Sequence, residues 1–274
     1  MAHKQSSTPT HTVEFPLVTT KEDIRCFTVR AEVGRQLYNS SLGELLRRHQ
    51  AMINSDAWHL LSQRNKRNNL KLKPLIALKK PTSSQKAKFN ALTAIKKRLN
   101  GLFNALHIEF GVTEYALNSF SKTNKNACHF KDHLDANTIQ KIDKRVMDAF
   151  VRWRFGPGVK PRFKGKNRPL NSLEGKTNKQ GIRFVLGDDN QPTRVQWNGL
   201  SMTVILAKKD RDGYQSAALS LIADGNIAYT RLIKRTVKGR DKLYAQLILK
   251  GEAFVKARHQ TARDNFKGKR VGTD

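Results

Sequence analysis

Residues 153–184 read WRFGPGVKPRFKGKNRPLNSLEGKTNKQGIRF, and this stretch lies between two parts of the chain with different periodicities. Glu174 is its single acid, whereas residues 160–168 place a cation at every second position: Lys160, Arg162, Lys164, Lys166 and Arg168. If this segment, which we call the basic ribbon, is extended, all five cations lie on one face. Such a face suits a phosphate backbone, because each cation can neutralise a phosphate and release counterions. A solvated basic loop is the alternative reading of the same residues.

The part before the basic ribbon has helical periodicity. Residues 13–18 alternate as a short strand, and Thr20 with Asp23 resembles a capping box that opens a helix. Apolar residues at steps of three and four then predict helices over 24–61, 89–106 and 135–153, with a short helical piece from residue 113. Breaks are expected at the proline-containing connector 65–81, the loop 121–131, and the glycine–proline stop 156–158.

The part after the basic ribbon has the period of two that is typical of strands. Strands are predicted at 182–186, 194–197, 200–206, 227–237 and 242–249. Asn198–Gly199 is a strong hairpin signal, a second hairpin is expected around Gly239–Arg240, and residues 208–213 form a basic turn. Short strands with basic turns suit a small antiparallel barrel of the oligonucleotide-binding kind. We therefore expect an α+β fold in which a mostly helical domain is inserted after the first strand of the barrel.

Charge is the dominant feature of the composition. The 274 residues include 52 Lys and Arg against 22 Asp and Glu, a formal net charge of +30. Nucleic acid is the expected partner of such a chain, because a polyanion relieves its self-repulsion. No run of about 18 apolar residues is present, so no membrane span is expected. A membrane surface is a less favoured partner than nucleic acid, because no basic helix has a broad apolar face.

The cysteines give little indication of a metal site. The two cysteines, with no CxxC pair, fit a reducing compartment and exclude a zinc ribbon within these residues. Cys128, His129 and His133 lie close in sequence, but three ligands without a fourth are weak evidence of a metal site. No metal is therefore expected for this chain.

Four segments together resemble one protein family. They are YNSSLGELLRRHQ at 38–50, KPRFKG at 160–165, SLEGKTNKQGIRF at 172–184, and the predicted hairpin at 227–251. In their order and spacing the chain resembles the N-terminal half of the transposon-encoded TnpB proteins and of type V CRISPR effectors. The resemblance covers the chain from about residue 13 onward. Each motif alone has modest specificity.

The resemblance implies a domain organisation and a set of partners. It implies a disordered tail at 1–12, a first wedge strand at 13–19, a helical recognition lobe at 20–155, a wedge β-barrel at 156–250, and a linker at 251–274 to an absent RuvC-like nuclease domain. The implied partners are a guide RNA, a target double-stranded DNA with its short flanking motif, and a RuvC-bearing C-terminal half. The implied location is the prokaryotic cytoplasm, at the nucleoid when target DNA is bound.

The resemblance also implies how catalysis is divided. Asp274, in the terminal VGTD, matches the first catalytic aspartate of the RuvC-like domain. A metal-dependent nuclease needs several carboxylates. Mg²⁺ is therefore expected only with an intact RuvC-like domain, and this chain alone is expected not to cut DNA.

The candidate nucleic-acid-binding residues are the cations of the basic ribbon, of the helix before it and of the strands and turns after it. They are Arg152, Arg154, Lys160, Arg162, Lys164, Lys166, Arg168, Lys176, Lys179, Arg183, Lys208, Lys209, Arg211, Lys234, Arg235, Lys238 and Arg240. Two other functions fit the same residues: a stand-alone structural RNA-binding protein, and a nuclease-dead guide-directed DNA-binding regulator.

Overall fold

The structure, a computed structural model, describes residues 8–188, 190–256 and 259. Over these residues the fold is α+β, as the change of periodicity predicts. The helices are α1 (Lys21–Ile53), α2 (Asp56–Ile76), α3 (Ser83–Glu109), α4 (Glu114–Ala127), α5 (Ala136–Phe155) and α6 (Tyr214–Ala223), with a short 3-10 helix at His129–Asp132. The strands are β1 (Thr10–Pro16), β2 (Ser172–Glu174), β3 (Arg183–Val185), β4 (Arg194–Trp197), β5 (Leu200–Thr203), β6 (Ile227–Val237) and β7 (Arg240–Lys250).

The chain forms two compact units. The first contains residues 1–35, 128–142 and 165–274, and the second contains residues 36–127 and 143–164. The boundaries fall inside α1 and α5 rather than at the ends of these helices. Each unit is therefore described by itself.

The first unit contains all seven strands, in two antiparallel sheets. One sheet has the order β1-β7-β6-β2 and the other β3-β4-β5. They meet where β1 runs on into a bridge between Leu17 and Val204. Phe15 of one sheet packs on Phe184 of the other, with ring centroids 5.8 Å apart, in a core shared by both sheets. Among the described strands no second ladder joins the sheets, so they do not form the closed barrel that the sequence led us to expect.

A tryptophan fixes the predicted Asn-Gly hairpin to two helices of the first unit. Trp197 donates through its indole N–H to Asp135, 2.8 Å away, and Asp135 also accepts the backbone N–H of Thr138 at the start of α5. The Arg30 guanidinium lies 4.6 Å from the centroid of the Trp197 ring and donates to the Asn198 carbonyl. Asn198 and Gly199 both have positive φ, 43° and 83°, as a two-residue type I′ turn requires. The predicted start of this helix near residue 135 and the predicted Asn-Gly hairpin are thus confirmed.

Helices form the second unit, and a buried polar cluster lies among them. Asp143 accepts hydrogen bonds from the hydroxyls of Ser41 and Ser121, each 2.7 Å away, so it ties α5 to α1 and α4. Nearby in the unit, His49 makes edge contacts with Phe150 and Trp153, at centroid distances of 5.1 and 5.7 Å. Burial raises the pKa of Asp143 and lowers the pKa of His49.

Two predictions of secondary structure were wrong, and one helix was missed. The connector predicted at 65–81 is mostly helix, because α2 continues to Ile76 and accommodates Pro74 in its last turn. The loop predicted at 121–131 begins only after α4 ends at Ala127. Helix α6 was missed, because its residues YQSAALSLIA are apolar or small on all sides and lack a helical stripe.

Candidate nucleic-acid interface

The first half of the basic ribbon is held in the second unit by the end of α5. The backbone N–H groups of Gly156 and Gly158 both donate to the carbonyl of Arg152, at 3.0 and 3.1 Å, and so end the helix. Trp153, in the last turn, then has two cations near its ring. The Arg154 guanidinium and the Lys160 ammonium lie 5.5 and 5.8 Å from its centroid. These two cations bring positive charge to the end of α5, where it can attract a nucleic acid.

Lys164 is anchored rather than located in a free loop. The side-chain amide of Asn39 accepts from the Lys164 N–H at 2.8 Å and donates to its carbonyl at 2.9 Å. The ammonium group of Lys164 lies 5.0 Å from the Tyr38 ring centroid. Tyr38 and Asn39 begin the YNSSLGELL segment of α1, so this segment fixes the position of KPRFKG. Two of the quoted sequence segments are therefore in direct contact.

The alternation of the five cations stops at Gly165. The N–H of Arg168 donates to the Gly165 carbonyl at 2.9 Å, so residues 165–168 form a turn. The prediction of one continuous face was therefore wrong beyond Lys164, because a turn reverses the direction of successive side chains. Lys166 and Arg168 are exposed in this turn, and they belong to the first unit.

Most candidate cations of the first unit are exposed at its turns. Lys238 occupies the left-handed first position of the β6–β7 turn with φ of 50°, and Arg240 follows it at the start of β7. The remaining exposed cations lie between β2 and β3, on β3 and in the loop after β5: Lys176, Lys179, Arg183, Lys208, Lys209 and Arg211. None of these eight cations forms an ion pair with a residue that the structure describes.

Two candidate cations use their charge within the fold. Lys234 contacts the Asp241 carboxylate at 3.1 Å, and a hydrogen bond from Thr236 together with this ammonium lowers the pKa of Asp241. Arg235 donates through both Nη atoms to the two carboxylate oxygens of Glu14, at 2.5 and 2.8 Å. These two residues are thus the least available for phosphate among the candidates.

The largest uncompensated set of cations was missed by the sequence reading. Residues 57–108, within α2, α3 and their connection, contain no Asp or Glu. Every Lys and Arg of this stretch is exposed, and none forms an ion pair with a described residue: Arg64, Lys66, Arg67, Lys71, Lys73, Lys79, Lys80, Lys86, Lys88, Lys96, Lys97 and Arg98. We call α2 and α3 with their connection, residues 56–109, the basic arm.

A narrow seam holds the two helices of the basic arm together. Leu92, Leu99 and Leu106 recur every seven residues along α3 and are buried. On α2 the seam includes the buried polar residue Asn68, whose amide donates to the Leu92 carbonyl at 3.1 Å. Polar residues in such a seam fix the register of two helices. A narrow seam leaves most of the surface of both helices for cations.

The basic arm carries a groove beside this seam. Its volume is about 390 Å³. The floor is apolar, and four cations surround it: Arg64, Arg67, Lys71 and Arg98. The basic arm could have been found from the sequence alone, because about fifty consecutive residues contain no acid.

Other kinds of site receive little support from the described residues. Among them, no group of three His, Cys, Asp or Glu side chains is placed to hold a metal ion. Asp274 lies outside the described residues, as does the side chain of His129, while Cys128 is exposed. None of the described helices has the length and apolar character to cross a bilayer.

The comparisons with known proteins add no family. No family model matches the chain, and no curated protein matches it. The surface chemistry therefore stands alone: exposed cations, many of them without an acidic partner, on the basic arm, the basic ribbon and the turns of the sheets.

Proposed function

We propose that this chain binds a structured guide RNA and its target DNA, as the binding module of an RNA-guided effector that resembles TnpB and type V CRISPR proteins. The observation that carries the proposal is the basic arm, in which twelve exposed cations stand without an acid between residues 57 and 108. Solubility alone does not require such a surface, because a mixture of both charges serves it. The phosphate groups of a nucleic acid can neutralise the positive charge of this surface.

The length of the basic arm favours a duplex over a short single strand. Helix α3 has 27 residues, which corresponds to about 40 Å. One turn of a B-form duplex is about 34 Å long. The cations of α3 extend from Lys86 to Arg98, about 18 Å along the helix, and those of α2 from Arg64 to Lys73, about 14 Å, so they can follow phosphates over about half of a helical turn.

Two features support the more specific resemblance. Two hydrogen bonds between the Asn39 side chain and the Lys164 backbone join the YNSSLGELL and KPRFKG segments, which both contribute to the resemblance. The two antiparallel sheets of the first unit share one core and present basic turns. We assign them to an oligonucleotide-binding-like wedge, with the helices of the second unit as a recognition lobe. In this assignment the sheets recognise the flanking motif of the target DNA, and the basic arm binds the RNA–DNA heteroduplex.

The test compares two triple charge reversals that change the net charge equally. The first variant is Lys66→Glu, Lys73→Glu and Lys97→Glu in the basic arm. The control is Lys21→Glu, Arg25→Glu and Lys250→Glu, exposed positions outside every candidate surface. The probe is a fluorescent 20-bp RNA–DNA heteroduplex, and anisotropy titrations run from 50 to 200 mM salt.

The basic-arm variant should lower the slope of log K against log salt by about three and the affinity at least about tenfold. The control should change the affinity less than about threefold. Equal losses in both variants would mean that net charge alone drives binding, and the proposal would fail. Tighter binding of an RNA hairpin than of the heteroduplex would instead favour a stand-alone structural RNA-binding protein.

A further inference from the structure

One edge of β1 is left unpaired beside a groove in the first unit. Along β1 the N–H of Leu17 points to β7, where it donates to the Leu243 carbonyl at 3.1 Å. The neighbouring groups point the other way. The Pro16 carbonyl accepts from Ile205 at 2.9 Å, and the Val18 N–H donates to Thr203 at 2.8 Å. The N–H and C=O groups of successive residues point alternately to the two edges of a strand. The main-chain groups of the even-numbered residues of β1 therefore point away from β7, to the edge on which β5 follows.

The chain after β5 leaves β1 at Ile205, and no strand continues this pairing in the described residues. The N–H and C=O groups of Thr12 and Glu14 face the same side as Pro16, because β1 pairs with β7 without a register shift. No hydrogen bond joins these four groups to a residue that the structure describes. An edge of this kind is a template for one more strand.

The groove beside this edge is large enough for an extended peptide. Its volume is about 940 Å³, and six consecutive residues of β1, His11 to Pro16, form one side. The other side comes from the loop after β5, α6 and the segment after β7. It combines the charged residues 209–212 with an apolar part: Ile205, Ala207, Ala217, Ala218, Leu221 and Phe254. Phe254 also packs edge-on against Tyr214, with centroids 5.2 Å apart.

Three acids and two cations line the groove, and two of the acids are paired with cations beside it. Asp210 accepts the backbone N–H of Ser216 at 2.7 Å near the start of α6. Asp212 pairs with Lys256, and Glu14 pairs with Arg235. Lys209 and Arg211 are exposed in the same wall and form no ion pair with a described residue. With Arg235 and Lys256 counted, four cations face three acids, and Lys209 and Arg211 are the two of these cations without an ion pair, so an acidic group on the occupant is favoured.

We propose that this groove binds an extended segment of a partner protein, which adds a strand to β1, has apolar residues at alternate positions and carries a carboxylate. The free groups of Thr12 and Glu14, two residues apart, match the repeat of a peptide backbone. The alternate side chains of the added strand face the apolar wall, and its carboxylate meets Lys209 and Arg211. A phosphodiester group accepts hydrogen bonds but does not donate them, so it cannot pair with the free C=O groups of Thr12 and Glu14, whereas a peptide backbone can pair with both their N–H and C=O groups.

The test uses two synthetic seven-residue peptides in which valine and threonine alternate, one ending in glutamate and the other in lysine. Fluorescence anisotropy with the full chain should show tighter binding of the glutamate peptide. Thr12→Pro removes one unpaired N–H at a strand edge, a place where proline is tolerated. It should weaken peptide binding about threefold to tenfold, the effect of one hydrogen bond.

Ala217→Phe fills the groove from α6 and should abolish peptide binding. Both variants should keep the thermal midpoint of the wild type within a few degrees. They should also leave heteroduplex binding unchanged, because neither residue is a candidate for phosphate contact. Loss of peptide binding with unchanged heteroduplex binding therefore tests the groove independently of the proposed function.

Three results would overturn the proposal: equal binding of both peptides, peptide binding that survives Ala217→Phe, and absence of peptide binding by the wild type. Loss of single-stranded oligodeoxythymidine binding, but not of peptide binding, in Ala217→Phe would also overturn it, in favour of a nucleic-acid groove.

Discussion

Two buried titratable side chains of the second unit should change stability in opposite directions as the pH falls. Burial raises the pKa of Asp143 from 3.8 to about 6, although hydrogen bonds from Ser121 and Ser41 act to lower it. Burial lowers the pKa of His49 from 6.5 to about 4, and the charge of Arg154 adds to this effect. Neither the second carboxylate oxygen of Asp143 nor Nε2 of His49 has a hydrogen-bond partner among the described residues.

The direction of each stability change depends on whether the folded or the unfolded state binds the proton more tightly. Between pH 3.8 and 6 the folded state holds a proton on Asp143 that the unfolded state has released, so this residue adds stability as the pH falls. Between pH 6.5 and 4 the unfolded state protonates His49 while the folded state does not, so that residue removes stability as the pH falls. From pH 7.5 to 5.0 these shifts give a gain of about 1.4 kcal/mol and a loss of about 2 kcal/mol.

Replacing either residue should therefore reveal the effect of the other. Relative to its own stability at pH 7.5, Asp143→Asn should lose about 2 kcal/mol at pH 5.0, and His49→Phe should gain about 1.4 kcal/mol. The wild type should lose only about 0.6 kcal/mol, the difference between the two. Urea denaturation at constant ionic strength measures this, and Trp153, which packs on His49, is the fluorescence reporter.

A common pH dependence for the wild type and both variants would show that neither side chain titrates as the buried geometry requires. A control at an exposed acid, Asp148→Asn, should leave the wild-type dependence unchanged. Titration of the His49 ring by NMR gives an independent check of the pKa of about 4.

Three further predictions concern the interface. Asn39→Ala removes both hydrogen bonds to Lys164, so we expect faster proteolysis within residues 156–168 and about a threefold to tenfold weaker affinity for the heteroduplex; an unchanged cleavage pattern would contradict the anchoring role. Asn68→Leu should stabilise the basic arm by about 1 kcal/mol while loosening the register of its helices, measured as a higher thermal midpoint with broadened amide signals; a lower midpoint would argue against the seam. Residues 1–274 with a guide RNA and Mg²⁺ should leave target DNA uncut, because the described acids do not converge on a metal site; guide-directed, metal-dependent cutting that survives Asp274→Ala would contradict this.

The wide apolar stripes and the Asn-Gly turn were predictable from sequence, whereas the basic arm was not. Helix α5 buries a regular stripe that includes Ile139, Ile142 and Val146, and this regularity made it visible. The α2 seam is narrow and contains a buried asparagine, so its pattern resembles a polar connector. Pro74 added to this resemblance, because a proline beyond the first turn removes a backbone hydrogen bond and usually kinks or ends a helix. Here α2 continues only two residues past it, to Ile76.

Contacts between distant residues limited the prediction of the site. The basic ribbon was visible as a charge pattern, but the amide that anchors Lys164 comes from a residue 125 positions away. Likewise, Arg235 looked available for phosphate because its partner Glu14 lies 221 positions earlier in the chain. Only the register of β1, β7 and β6 brings these charges together, and no local pattern encodes that register.

Under the proposed function, the acid-free stretch between Asp56 and Glu109 also exposes the protein to competing nucleic acids in a cell. Uncompensated cations attract any phosphate backbone, and sites without specificity outnumber a cognate site by many orders of magnitude. We therefore expect the basic arm to hold cellular RNA before it meets its own ligand. Cognate binding is then an exchange reaction, in which one polyanion replaces another and few additional counterions are released. Selectivity must come from the shape of the ligand and from the other surfaces of the chain, and the rate of exchange depends on how quickly bystander RNA leaves the arm.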